Sequence, residues 1–119
     1  MSDDTNTEHN GSFEYAKKHV LRVYMRENDR YRGELVQKKI LDMFENSEVT
    51  GATVFHATAG FGRGGGMSKG VRLYKLNTEH PIIVECVDDL ERIEPLIPHI
   101  QEVLDDHGII TVTETEIVV

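Results

Sequence analysis

A strand–helix–strand pattern of apolar residues occurs twice in this sequence, on either side of a glycine-rich stretch, and it constrains the fold more than any other feature. In the first copy, apolar and polar residues alternate over 18–27, which predicts a strand with one buried face. Apolar residues then recur at helical spacing over 31–46, and β-branched and aromatic residues dominate 52–59. These two segments are predicted to form an amphipathic helix and a second strand.

The second copy of the pattern follows the glycine-rich stretch. A proline-led apolar run over 81–87 predicts a third strand, and alternation over 109–119 predicts a fourth. Between them, Asp88 is expected to be the N-cap of a helix and Gly108 its C-terminal stop. The first half of this helix is expected to be irregular because two prolines lie within it, Pro95 and Pro98.

Two split strand–helix–strand units predict a ferredoxin-like βαββαβ sandwich, an α+β fold with a four-stranded antiparallel sheet and two helices on one face. The other face of this sheet then has no cover. Its residues are too apolar for a free surface and too charged for a core, which indicates an interface between subunits. The residues predicted on this outer face are Val20, Arg22, Tyr24, Ile83, Glu85 and Val87.

Length and composition predict one domain. The chain has 119 residues, the size of a single domain. Residues 1–16 are polar and are expected to be a disordered tail, so the folded domain is 17–119 with a flexible loop at 60–75. A single cysteine excludes an intrachain disulfide and fits a reducing compartment. The acidic N-terminus and the lack of a long apolar run lead us to expect a cytoplasmic protein.

Six of the ten glycines lie within residues 60–70, in the segment GFGRGGGMSKG. The G-x-G-x-x-G spacing within it is disfavoured as a dinucleotide site because no apolar-periodic helix follows. Backbone N–H groups of glycines can instead form an anion-binding nest, to which basic side chains add charge. The alternative is a flexible loop that binds a partner protein and touches no small ligand. The candidate binding residues are Gly60, Gly62, Arg63, Gly64, Gly65, Gly66, Lys69 and Arg72.

Charge is distributed unevenly along the chain. The net charge is −8, yet residues 17–76 contain twelve basic and six acidic side chains. Overall acidity works against nucleic-acid binding, so no nucleic-acid partner is expected. Four cations without an acid between Arg63 and Lys75 point to an anionic ligand or an acidic partner surface.

Catalytic and metal-binding patterns are weak. No two of the six histidines are four residues apart, so a zinc site on one helix is not expected. Cys86 alternates with Glu85 and Val87 and is predicted to point into the core as a small hydrophobe. We therefore expect no catalytic residue, no metal site and no enzyme.

Three segments carry a family resemblance. The stretch GATVFHATAGFGRGG at 51–65, the run HPIIVECVDDLERIEPLIP at 80–98 and the ending GIITVTETEIVV resemble a family of small PII-like proteins of uncharacterised function. The resemblance covers about residues 18–118. It implies a ferredoxin-like fold, a homotrimer and ligand binding in clefts between subunits. The loop after the second strand, here 60–75, would reach partner proteins.

PII signalling proteins bind adenine nucleotides and signal energy or nitrogen status to transporters, channels and enzymes. The resemblance therefore implies an adenine nucleotide as a possible ligand. This chain departs from their pattern at the connection 105–108, Asp-Asp-His-Gly, which has no lysine for a phosphate. The resulting hypothesis is a trimeric regulatory protein that senses an anionic metabolite and acts on a partner through the glycine-rich loop. The alternative is a ligand-free adaptor whose loop docks on a membrane transporter or another protein.

Overall fold

A computed structural model of the chain describes residues 12–58 and 80–119. The main sheet has four antiparallel strands in the order β4-β5-β1-β6. With its helical layer, this arrangement confirms the predicted ferredoxin-like α+β fold. In chain order the elements are β1 (Tyr15–Arg26), β2 (Arg30–Tyr31), β3 (Glu34–Leu35), α1 (Val36–Glu45), β4 (Thr53–His56), β5 (Pro81–Asp88), α2 (Leu90–Ile93), a 3₁₀ turn (Glu94–Leu96), α3 (Ile97–Leu104) and β6 (Ile109–Val118).

The hydrophobic core lies between one face of the sheet and the helices. Alternate residues of β1 and β5 face the helical layer and are almost fully buried, as the alternation predicts. Helices α1 and α3 contribute one apolar stripe each. The most deeply buried side chains are Leu21, Val23, Ile40, Ile82, Val84, Cys86, Ile93 and Ile100.

The N-terminal boundary of the domain lies earlier than predicted. Strand β1 begins at Tyr15, which pairs with Val118 of β6. Glu14 and Val119 exchange two backbone hydrogen bonds, of 3.3 and 2.8 Å. The prediction of a disordered tail over 1–16 is therefore wrong for Tyr15 and Ala16, because the end of β6 pairs with them. Residues 1–11 lie outside the described part of the chain.

The first helix is shorter than predicted, because its first turns are replaced by a hairpin. Strands β2 and β3 pair through a two-residue turn in which Arg32 and Gly33 have φ values of 52° and 85°. Positive φ at both turn positions is the geometry that favours a tight hairpin. Helix α1 then starts at Val36, whose N–H donates to the carbonyl oxygen of Asp29 at 2.9 Å.

The second helical segment is irregular, as its prolines predict. A 3₁₀ turn at Glu94–Leu96 interrupts it between α2 and α3. The N-cap prediction is wrong by one residue: Asp88 ends β5, and Asp89 occupies the N-cap position. Gly108 is not the stop either, because Asp105 and Asp106 take the left-handed conformation after α3, with φ of 52° and 67°. None of the helices in 12–58 and 80–119 is long and apolar enough to cross a membrane.

Candidate functional site

The glycine-rich segment is attached at one end of the sheet. Strand β4 ends at His56, and the N–H of Ala57 donates to the Pro81 carbonyl oxygen at 2.9 Å. The N–H of Glu27 donates to the His80 carbonyl oxygen at 2.9 Å, so the end of β1 meets the start of β5 there. The predicted binding residues between these anchors all lie outside the described residues: Gly60, Gly62, Arg63, Gly64, Gly65, Gly66, Lys69 and Arg72.

The connection from α3 to β6 lies at the same end of the sheet. Strand β6 starts at Ile109, which pairs with Tyr24 near the end of β1. The two acids of this connection, Asp105 and Asp106, are exposed. An anion at this end of the sheet would therefore meet repulsion from the connection, and its charge must be balanced by cations from elsewhere.

The hairpin of β2 and β3 carries basic side chains. Their positions differ from those in the helix that the sequence predicted over 31–46. Arg32 lies over the ring of Tyr31, 5.1 Å from its centroid, and Lys39 approaches the same ring at 5.9 Å. The Tyr31 hydroxyl donates to Glu102 at 3.0 Å, and this hydrogen bond raises the pKa of Tyr31. Arg30 donates to the carbonyl oxygen of Gly33 at 2.9 Å. Arg30 and Arg32 remain exposed, so they are candidates to attract an anion.

A buried carboxylate ties the other end of β5 to the helical layer. Asp88 is only 4% exposed. It accepts hydrogen bonds from the N–H of Asp89 at 2.7 Å, the N–H and Oγ1 of Thr50 at 2.8 and 3.1 Å, and Arg92 at 3.3 Å. Burial opposes its ionisation, but these donors and the charge of Arg92 outweigh burial and lower the pKa of Asp88. The residue is already fully engaged, so its role is structural.

The described residues offer no reactive thiolate or metal cluster. Burial raises the pKa of the Cys86 thiol to about 11, so the thiol stays protonated and unreactive at neutral pH. No three His, Cys, Asp or Glu side chains within 12–58 and 80–119 are grouped to hold a metal ion. A pocket of about 530 Å³ beside α2 is lined by Ser47, Glu48, Glu91, Arg92, Pro95 and Leu96.

No strand or helix within 12–58 and 80–119 covers the sheet face opposite the helices, which we call the open face, and it carries the residues that the alternation predicts. The strand register places them in rows across the sheet. One row is apolar and borders the end where the glycine-rich segment is attached: Phe55, Ile83, Tyr24 and Ile109. In this row Phe55 is 46% and Ile109 52% exposed. Such large exposed apolar side chains on one face are typical of an interaction surface.

The next row across the open face is polar. It consists of Thr53, Glu85, Arg22 and Thr111. Arg22 Nε donates to Glu85 Oε2 at 2.7 Å, and this bond raises the pKa of the Arg22 guanidinium. Beyond it, Val20 pairs with Val87, which is 37% exposed. An ion pair therefore lies between apolar residues on both sides.

Comparisons with known proteins identify the family. The model of the family described as DUF190, Uncharacterized ACR, COG1993, matches residues 18–117. A UPF0166 protein of Methanocaldococcus jannaschii is 33% identical over 104 residues, which cover 85% of this chain and 92% of that protein. A UPF0166 protein of Aquifex aeolicus is 31% identical over 104 residues, which cover 87% of this chain and 95% of that protein.

Solved structures give the same fold. The structure of CPII from Thiomonas intermedia K12 bound to ADP and bicarbonate matches with a TM-score of 0.64 and 17% identity, covering 87% of this chain and 91% of CPII. The apo form, described as a nitrogen regulatory PII-like protein, has a TM-score of 0.62 and 13% identity. The match covers 91% of this chain and 99% of CPII. The chain belongs to the DUF190 family and has the PII-like fold that the sequence resemblance implied.

Proposed function

We propose that this protein is a PII-like regulatory protein that assembles as a homotrimer, senses an adenine nucleotide in the clefts between subunits, and acts on a partner protein through residues 60–75. The observation that carries the proposal is the attachment of the glycine-rich segment beside an exposed apolar row of the open sheet face. A second subunit on that face would lie next to the loop. A cleft between subunits would then combine the loop of one chain with groups of another.

The chemistry of the segment supports an anionic ligand. Glycine N–H groups can form an anion nest, and Arg63, Lys69 and Arg72 add positive charge without an intervening acid. CPII, which shares the fold, is described as bound to ADP, AMP and bicarbonate. In this chain the phosphates would depend on the loop cations, since the connection 105–108 offers only acids and a histidine. A membrane transporter or channel is the class of regulated partner that the resemblance implies.

The test is a thermal-shift and calorimetric titration with ADP, AMP and ATP. By linkage, a ligand at about 100 times its dissociation constant adds roughly 2.7 kcal/mol of stability, a clear shift in melting temperature. The double variant Arg63→Ala/Lys69→Ala should lose nucleotide binding and keep the wild-type melting temperature without ligand, since the hydrophobic core within 12–58 and 80–119 is formed without either residue. Binding by the wild type should also weaken as salt screens the attraction.

Two further double variants sharpen the test. Lys17→Ala/Lys38→Ala also removes two cations and should leave nucleotide affinity nearly unchanged. Arg30→Ala/Arg32→Ala tests the hairpin, and a loss of binding there with none at Arg63 and Lys69 would move the site off the loop. No binding of any nucleotide by the wild type would refute sensing and favour an adaptor that works without a ligand.

A further inference from the structure

The open sheet face is balanced in charge, whereas the described residues taken together are acidic. Residues 12–58 and 80–119 together contain seventeen acidic and nine basic side chains. Along the open side of β1, every basic residue has an acidic partner: Lys18–Asp89 at 2.7 Å, Arg22–Glu85 at 2.7 Å and Arg26–Asp29 at 3.2 Å. A second copy of this acidic chain would therefore meet little net repulsion at this face.

The central ion pair, Arg22–Glu85, lies where it can determine how two docked copies align. Arg22 and Glu85 lie between the row that holds Phe55 and Ile83 and the pair Val20–Val87. Their side chains are 40% and 21% exposed, so both reach the surface of the face. A copy that docks out of register would set a buried charge against apolar side chains, which is costly because an ion loses its water without gaining a partner.

We infer that Arg22 and Glu85 determine the register between neighbouring copies of this chain, with Arg22 of each copy meeting Glu85 of the next copy around the homotrimer where their open sheet faces meet. The inference rests on the assembly part of the proposed function, and it assigns that assembly a specific polar determinant. Arg22 and Glu85 lie side by side at the middle of the face, so a neighbouring copy rotated about a threefold axis can set its Glu85 against this Arg22. A buried polar contact of this kind costs some stability and excludes competing alignments.

The test uses single charge reversals and their mixture. Arg22→Glu and Glu85→Arg each create like charges, so sedimentation should show a concentration for half-assembly raised about tenfold or more. An equimolar mixture of the two variants should assemble at a lower concentration than either alone, since opposite charges then meet at two of the three contacts of a mixed trimer instead of at none. The doubly reversed chain Arg22→Glu/Glu85→Arg should assemble nearly as the wild type does.

Matched controls come from the exposed pair on α1, Lys38 and Asp42, whose side chains are 70% and 52% exposed. Lys38→Glu and Asp42→Lys make the same changes of charge away from the face and should leave assembly unchanged. Circular dichroism and urea unfolding check that every variant folds.

The outcomes separate this inference from the proposed function. If the wild type assembles but the mixture does no better than its components, or the single reversals assemble as the wild type does, the pair acts within one chain and the inference is wrong. A wild type that is a monomer at all concentrations overturns the inference and the proposed assembly together. Rescue in the mixture supports the inference whether or not nucleotides bind.

Discussion

Replacing Asp88 by alanine tests whether this buried carboxylate connects β5 to the helical layer. The change leaves two backbone N–H groups, of Asp89 and Thr50, without the acceptor that they meet at 2.7 and 2.8 Å. The site is 4% exposed, so water does not replace the lost oxygens. A buried donor left unsatisfied costs about 1–3 kcal/mol, so the two donors predict a loss of about 2–6 kcal/mol for Asp88→Ala. Urea unfolding at one fixed protein concentration measures it.

The neighbouring residue offers a matched control. Asp89 makes one partly exposed ion pair with Lys18 and no side-chain cap hydrogen bond, so Asp89→Asn should cost no more than about 1 kcal/mol. Asp88→Asn should cost nearly as much as alanine, because its amide group turns a donor toward donors. The reasoning fails if the free energy of unfolding of Asp88→Ala lies within about 1 kcal/mol of the wild-type value, because that is the lower limit for even one unsatisfied donor.

The lowered pKa of Asp88 predicts that the stability of the folded protein depends on pH. Its pKa in the folded protein is lowered from the ordinary 3.8, so the ionised form contributes stability above that value. The contribution is lost as pH falls through the folded pKa. The difference in melting temperature between the wild type and Asp88→Ala should therefore be full at neutral pH and shrink below about pH 3.8. A difference that stays constant to lower pH would contradict the assigned role.

Three further predictions concern other positions. Gly108→Ala should cost about 1–3 kcal/mol in urea unfolding, because a Cβ there would lie 2.4 Å from the Tyr24 carbonyl oxygen, whereas the control Gly51→Ala, with nothing within 4 Å, should change little. Cys86, 1% exposed, should resist a thiol reagent at pH 8 until urea unfolds the protein; fast labelling of the native state would refute its burial. Deleting residues 2–11 should barely change the melting temperature, while extending the deletion through Tyr15 should lower it, since Tyr15 pairs with Val118.

Periodicity was sufficient to predict the sheet and its two faces. The alternation in β1 and β5 separates Leu21 and Val84, which are 0% exposed, from Val87 at 37%. The errors lie where local signals compete. Leu35 and Val36 continue the helical spacing, yet Arg32 and Gly33 form a hairpin turn that the spacing does not reveal. Tyr15 joins β1 because β6 pairs with it, a contact between the two ends of the chain that no local pattern encodes.

The candidate site was predictable only in part. Arg63 and Lys69 were predicted as binding residues because their segment is rich in glycine and basic side chains. Composition does not reveal which groups lie opposite them. The ion pair of Arg22 and Glu85 depends on a strand register between residues 63 positions apart. Alternation placed both side chains on one face, but only the register brings them within 2.7 Å. Asp88 was predicted as a helix N-cap, which is wrong by one residue, and its hydrogen bonds to Thr50 were not predicted because Thr50 is remote in sequence.

The measurement that tests the central claim most directly is a calorimetric titration of ADP into protein whose mass has been determined by light scattering. The account predicts a particle of about three times the 13.5 kDa chain mass, saturable ADP binding at about one site per chain, and loss of that binding in Arg63→Ala/Lys69→Ala without loss of the trimer. A trimer that releases no heat and shows no stabilisation with ADP, AMP or ATP would contradict nucleotide sensing. Tight binding of ADP to a monomer would contradict the cleft between subunits.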